Sequence, residues 1–279
     1  MNPVAATLQR AWRDPRGRAG AVILVLIAIA ALLGPLLLPD PLAQPDILAG
    51  SVPPGAGHPF GTDQLNRDIL SRVVAGARVS LSVALVAVGL SMTVGAAMGL
   101  VAGYAGGVAD AAIMRLVDGA LAIPRLFMLL LVLAVWERVP VPALILLIGA
   151  TGWFATSRLV RAEVLRLREE AYVTAAEALG AKRRRIIFRH LLPNTLGPLL
   201  VAGTLAVGDV ILLEAGLSFL GLGIQPPTPS WGGMILDSKE VLVSAPWAGI
   251  FPGLAIVITV LSTNLFGDAL RDAIDPRGA

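Results

Sequence analysis

Long blocks of sequence without a charged side chain constrain this chain more than anything else in it. Ala19–Leu38 is the first and Val79–Val101 the second, and four more apolar stretches follow, at about 112–136, 139–155, 196–223 and 246–266. A helix needs about 20 such residues to cross the ~30 Å hydrocarbon core of a bilayer. Soluble domains carry about a quarter charged residues; here the figure is 15%, with 56% hydrophobic. Six spans would commit about 120 residues to lipid, which leaves room for loops but not for a second large soluble domain. The runs are too long and too evenly apolar for tilted barrel strands, so the expected fold is an all-α integral membrane protein with six transmembrane helices. The chain has no cysteine, which excludes a disulfide scaffold and thiolate metal sites.

Charge sets the expected orientation. Arg10, Arg13, Arg16 and Arg18 precede the first run with only Asp14 among them. That run is longer than a signal peptide's apolar core, and more spans follow, so it reads as an uncleaved helix with its basic flank in the cytoplasm. Six spans with both termini inside put seventeen of the 22 basic residues on the inner side, leaving Arg67, Arg72, Arg78, Arg138 and Lys239 outside. The expected organisation is a cytoplasmic segment at 1–18, a first span at 19–38 and an extracytoplasmic loop at 39–78. A core of five spans at 79–279 follows, with a cytoplasmic loop at 157–195. The outer loop holds Asp40, Asp46, Asp63 and Asp68, with a short helix expected near Asp63 to Val74.

Gly95, Gly99, Gly103 and Gly107 recur every four residues, a spacing that makes one smooth face for a neighbouring helix. Pro124 predicts a kink in the third span. Arg115 and Asp118 are three apart and spaced to pair, and Glu137 and Arg138 fall in the tight connection to the fourth span. Asp209 and Glu214 sit inside the fifth span, where ionisable groups are costly; they are candidates for lining a pathway, contacting another subunit or bonding helix to helix. Asp63, Arg67, Asp68, Arg72 and Trp231 are candidates for an outward-facing loop, with internal pairing the equal alternative for the four charged ones. The only lysines are Lys182 and Lys239 and neither follows a phosphate-cradling glycine loop; the only histidines are His58 and His190. Neither nucleotide hydrolysis, nor a metal site, nor a catalytic triad is expected of this chain alone.

The inner connection between the fourth and fifth spans is the most informative segment. Glu169 to Gly180 patterns as a short amphipathic helix, with Tyr172, Ala175, Ala176 and Leu179 on one face and Glu170, Thr174 and Glu177 on the other. Acids lead it and Gly180 suits a left-handed stop. Lys182, Arg183, Arg184, Arg185 and Arg189 then follow before Pro193 interrupts the pattern. Periodicity alone fits equally a helix lying on anionic lipid and a knob offered to a cytoplasmic partner.

Thr174, Ala175, Ala176, Gly180, His190, Leu192 and Pro193 resemble the E-A-A, glycine, I-x-L-P loop of binding-protein-dependent ABC transporter permeases, with Thr174 in the place of the Glu and His190 in the place of the Ile. His58-Pro59-Phe60-Gly61-Thr62-Asp63, Arg67-Asp68 and Ser71-Arg72 are similar to the dipeptide, oligopeptide and nickel branch, Asn66 replacing a usual Gly. So are Glu214 to Gly223, Gln225 to Gly232, Phe251-Pro252-Gly253-Leu254 and the ending with Asp268, Arg271, Asp272 and Asp275-Pro276-Arg277.

The resemblance implies a type I importer permease fold and a "C"-type subunit in the bacterial cytoplasmic membrane. It implies a second permease subunit, two ATP-binding subunits and an external solute-binding protein as partners, with the lipid bilayer around them and no nucleic acid. ATP and magnesium would be used by the ATPases, and no cofactor is bound by this chain. Glu170, Tyr172, Thr174, Ala175, Ala176 and Gly180, with His190, Leu192 and Pro193, would form the coupling loop. Di- or oligopeptides are the expected cargo, with nickel chelates or glutathione-like compounds the alternatives. A self-sufficient secondary transporter would carry internal repeats and buried ion-coupling residues, and no convincing repeat is present.

Overall fold

A computed structural model describes residues 3–44, 46–136 and 139–274. Glu137, Arg138, Asp275, Pro276 and Arg277 lie outside them. Among the described residues the regular structure is helical, with one isolated bridge between Thr62 and Asp68. The helices are α1 (Pro3–Arg13), α2 (Pro15–Leu37), α3 (Ile69–Ala105), α4 (Gly107–Leu121), α5 (Arg125–Leu133) and α6 (Val141–Arg168). Then come α7 (Ala171–Ala178), α8 (Arg183–Arg185), α9 (Leu192–Phe219), α10 (Trp231–Asp237) and α11 (Trp247–Ile274). Five elements among the described residues are long and apolar enough to cross a membrane, and α4 with α5 makes a sixth if that pair, bent by 80°, is one span.

Several boundaries differ from the sequence reading, each for a physical reason. The short helix expected at 63–74 and the second span expected at 79 are one helix. It starts at Ile69, where Asp68 caps it by accepting from the Ser71 N–H at 2.8 Å. At 37 residues it is about 55 Å long and must project beyond the hydrocarbon. Pro124 marks a break rather than a kink: it caps α5, and the chain turns through Ala122 and Ile123. Pro193 does not interrupt anything. A π turn at Ile186–Leu191 precedes it, with the Leu192 N–H reaching the Ile187 carbonyl. The Asn194 side chain donates to the His190 carbonyl at 2.5 Å, so α8 runs into α9 without a stop. The fourth and sixth spans likewise run on, to Arg168 and Ile274.

Helices α3 and α6 pack closely as a pair, and α5, α9, α10 and α11 add buried side chains to the same core. A methyl group added at Gly95 would meet Thr156 Cβ at 2.5 Å, at Gly99 Val160 Cβ at 2.7 Å, and at Gly103 Val164 Cβ at 2.8 Å. These three glycines let α3 and α6 touch, as their spacing predicts. Gly107, the fourth of the series, instead takes a φ of +54° after Gly106 at +64°, in the turn between α3 and α4. Asp118 pairs with Arg158 of α6 rather than with Arg115, and Arg161 grips Asp110 through two nitrogens at 2.5 and 2.6 Å. Both pairs tie α4 to α6.

Helix α2 lies outside this core. It approaches α11 through Gly20, where a Cβ would stand 2.6 Å from the Ser262 carbonyl, and α3 through Gly34, 2.2 Å from Val74. Most of its other side chains face outward, as an apolar helix in lipid permits.

Candidate functional site: a knob at one end and a sealed cluster at the other

Helix α7 begins at Glu170, whose carbonyl accepts from Val173 at 2.9 Å and from Thr174 at 3.1 Å. Glu170 also pairs with Arg166 on the exposed surface at 3.4 Å. The helix ends in a double bond pattern: Gly180 N–H to the Glu177 carbonyl at 2.9 Å, Ala181 N–H to the Ala176 carbonyl at 3.0 Å. That pattern requires a left-handed residue, and Gly180 has φ +78°. A Cβ there would meet nothing within 4 Å, so glycine serves the dihedral and not the space.

Val173 fixes the knob to the body. It is 0% exposed and belongs to an apolar cluster with Val160, Val164 and Leu167 of α6, Leu100 of α3, and Ile186 and Leu191. The end of α6 is itself clamped, because Arg168 donates to the last carbonyls of α3, at Gly103 (3.1 Å) and Tyr104 (3.3 Å). A cation at a helix C-terminus is favourable, and the same guanidinium lies 5.6 Å over the Tyr104 ring. Val173 thus roots α7 on the α3–α6 pair.

The apolar face read from periodicity is mostly not the one that packs inward. Ala176 is half-buried, while Tyr172 (42%), Ala175 and Leu179 (88%) face away from the protein. Thr174 donates to the Ala171 carbonyl at 3.0 Å and its side chain adds no charge to the knob. The ring of Tyr172 lies 6.1 Å from that of His190, so the two halves of the motif meet in space. Partial burial, then the Glu170 carboxylate, pushes the Tyr172 hydroxyl above its usual range, so it stays neutral near pH 7. Leu192 is half-buried and Pro193 exposed at the start of α9.

The opposite end is built the other way. Asp63 accepts from Arg67 Nε at 2.7 Å and faces Arg72 Nε at 3.5 Å; Asp237 of α10 faces the same two arginines at 3.4 and 3.1 Å. Asp63, Arg67 and Arg72 are buried, so within this chain they are internal pairs and not an outward contact surface. Asp68 caps α3 and meets His58 Nδ1 at 3.0 Å. Trp231 is also corrected: it is buried, at the start of α10, and donates from Nε1 to the Val73 carbonyl at 2.9 Å. Asn66 has φ +58°, a dihedral that asparagine and glycine tolerate, which explains why Asn can stand where a Gly is usual.

Glu214 and Asp209 separate. Glu214 is fully buried and accepts from Ser218 at 2.7 Å and Ser80 at 3.0 Å, so it joins α9 to α3 inside the protein and lines no surface of this chain. Asp209 is exposed and close enough to Arg125 for the two charges to attract. Arg125 donates to Thr151 Oγ1 at 3.1 Å and to the Ile148 carbonyl at 2.5 Å. Arg125 was not singled out as a site residue from the sequence; the signal available was a cation directly after the proline that breaks the helix. Asp237 was missed as well, since its partners lie 165 and 170 residues away.

Residues 95–278 match the family described as binding-protein-dependent transport system inner membrane component. The chain is 43% identical to a dipeptide transport system permease protein, DppC, of Alkalihalophilus pseudofirmus, over 92% of this chain and 84% of that protein. It is 39% identical to the oligopeptide transport system permease protein OppC of Bacillus subtilis, with the same two coverages. A putative peptide permease protein of Brucella suis is 41% identical over 99% of this chain and 91% of its own length. This chain belongs to the family of binding-protein-dependent transport permeases and is a multi-pass protein of the bacterial inner membrane.

Proposed function

We propose that the chain is one of two permease subunits of an importer for di- or oligopeptides, and that α7 is the part on which a separate ATP-binding subunit pushes. The observation that carries this reading is the construction of the knob. It is capped by Gly180, rooted through Val173 in the α3–α6 pair, and leaves Tyr172, Ala175 and Leu179 exposed. Exposed apolar and aromatic side chains on a stiff helix suit insertion into a protein groove. ATP and magnesium belong to that partner, and a binding protein delivers the solute at the opposite end. On this reading α7 and both termini lie in the cytoplasm, which the distribution of basic residues supports. The peptide cargo is supported by the names of the relatives. Asp209, beside Arg125, is proposed to face the pathway or the second permease subunit.

The test is a complex of both permease subunits and both ATPases in lipid. Its ATPase activity is measured with peptide-loaded binding protein, then with the same binding protein loaded with a nickel chelate or with glutathione. Stimulation by peptides is expected. In Gly180→Pro the stimulation should vanish while the complex remains in the membrane at normal abundance. Normal peptide uptake by that variant would refute the coupling role.

A further inference from the structure

Beside the knob, a slot of about 520 Å³ runs along the inner end of α3. Ala97, Val101 and Tyr104 form one wall, and Ile187, Phe188 and Leu192 the other. The α3 wall from Thr93 to Val101 belongs to the uncharged stretch Val79–Val101, so it stands at hydrocarbon depth and not in cytoplasmic water. Its mouth is different in character. Phe188, 60% exposed, carries the Arg184 guanidinium 6.0 Å over its ring. Lys182, Arg183, Arg185 and Arg189, its neighbours in sequence, are exposed as well. Among the described residues none of these five cations pairs with an acid, whereas Arg158, Arg161 and Arg166 all do.

From this juxtaposition of an apolar slot and an unpaired cationic mouth, we infer that the slot holds one acyl chain of an anionic phospholipid, with its phosphate on the Arg184–Arg185 side. The charge matches a lipid headgroup, each cation adding to the attraction. The walls match a hydrocarbon chain, which finds no polar group to displace. A soluble partner could meet the cations but would have to enter the bilayer to fill the slot. The assignment holds whichever solute is carried, and its failure leaves the coupling reading untouched.

The assembled complex is placed in phosphatidylcholine nanodiscs with phosphatidylglycerol bearing a photoreactive acyl chain. Labelling is expected on α3 between 97 and 105 and around Phe188, competed by unlabelled phosphatidylglycerol and not by more phosphatidylcholine. In the double variant Arg184→Gln, Arg185→Gln, competition should weaken about thirtyfold, the loss expected for two cations at a lipid surface. Ala97→Phe fills the slot and leaves the charges, and should abolish the labelling at that place. Equal competition by phosphatidylcholine, unchanged labelling in both variants, or cross-linking of the slot to a partner subunit would overturn the inference.

Discussion

The two ends of the bundle both carry clusters of charge and use them in opposite ways. At the 58–72 end the arginines are buried and shared between two aspartates, and the neighbouring tryptophan is closed in. At the 170–192 end the cations of α8 stand exposed, and so do the largest side chains of α7. The first end is complete within one chain. The second is unfinished, and a surface of unpaired cations and bare apolar side chains is what a partner or a lipid completes. A family motif can therefore mark either a fold's internal bracing or its outward business; burial, not likeness, separates them.

That contrast can be broken by substitution. The largest effect should come from Asp237→Ala, which leaves Arg67 and Arg72 sharing one buried aspartate. Removing one partner of a buried ion pair costs about 3–5 kcal/mol, so the protein's thermal midpoint and its abundance in the membrane should fall together. Unchanged stability would mean that this end is wetter than its burial indicates. Next comes Asn66→Ala, expected to cost about 1–2 kcal/mol at the left-handed dihedral, whereas Asn66→Gly should be neutral to within about 0.5 kcal/mol. If alanine proved as stable as glycine in thermal unfolding, the dihedral would not explain the asparagine. The smallest effect on stability should follow Leu179→Asp at the unfinished end, within about 0.5 kcal/mol for an exposed position. Its peptide-stimulated ATPase activity should nevertheless collapse; full activity with a charge on the knob would show that Leu179 does not enter the partner.

Much of this was legible in the sequence, because the signals involved are local. Apolar runs marked the membrane helices, glycine spacing predicted that a neighbouring helix packs closely on α3 without saying which, and the loop pattern marked α7. What stayed hidden depended on distant partners. The charges of Arg67 and Arg72 made the start of α3 look like a separate short helix in an outer loop, since Asp237, which helps neutralise them, is far along the chain. Pro193 looked like an interruption because the π turn and the Asn194 bond that absorb it leave no trace in a pattern of hydropathy. In α7, eight residues long, two turns are too few for periodicity to say which side packs; Val173 is chosen by the pocket beneath it. Glu214 and Asp209 differ in the same way, one answered by a serine of its own helix and another of α3, the other left facing out.

The glycine contact between α3 and α6 has a mechanical consequence. Where even one methyl group would collide with the facing helix, two helices cannot shear past each other without parting first. They turn as a single beam. The chain turns instead where it leaves the beam, at the paired glycines 106 and 107 with positive φ and then at the 80° bend before Pro124.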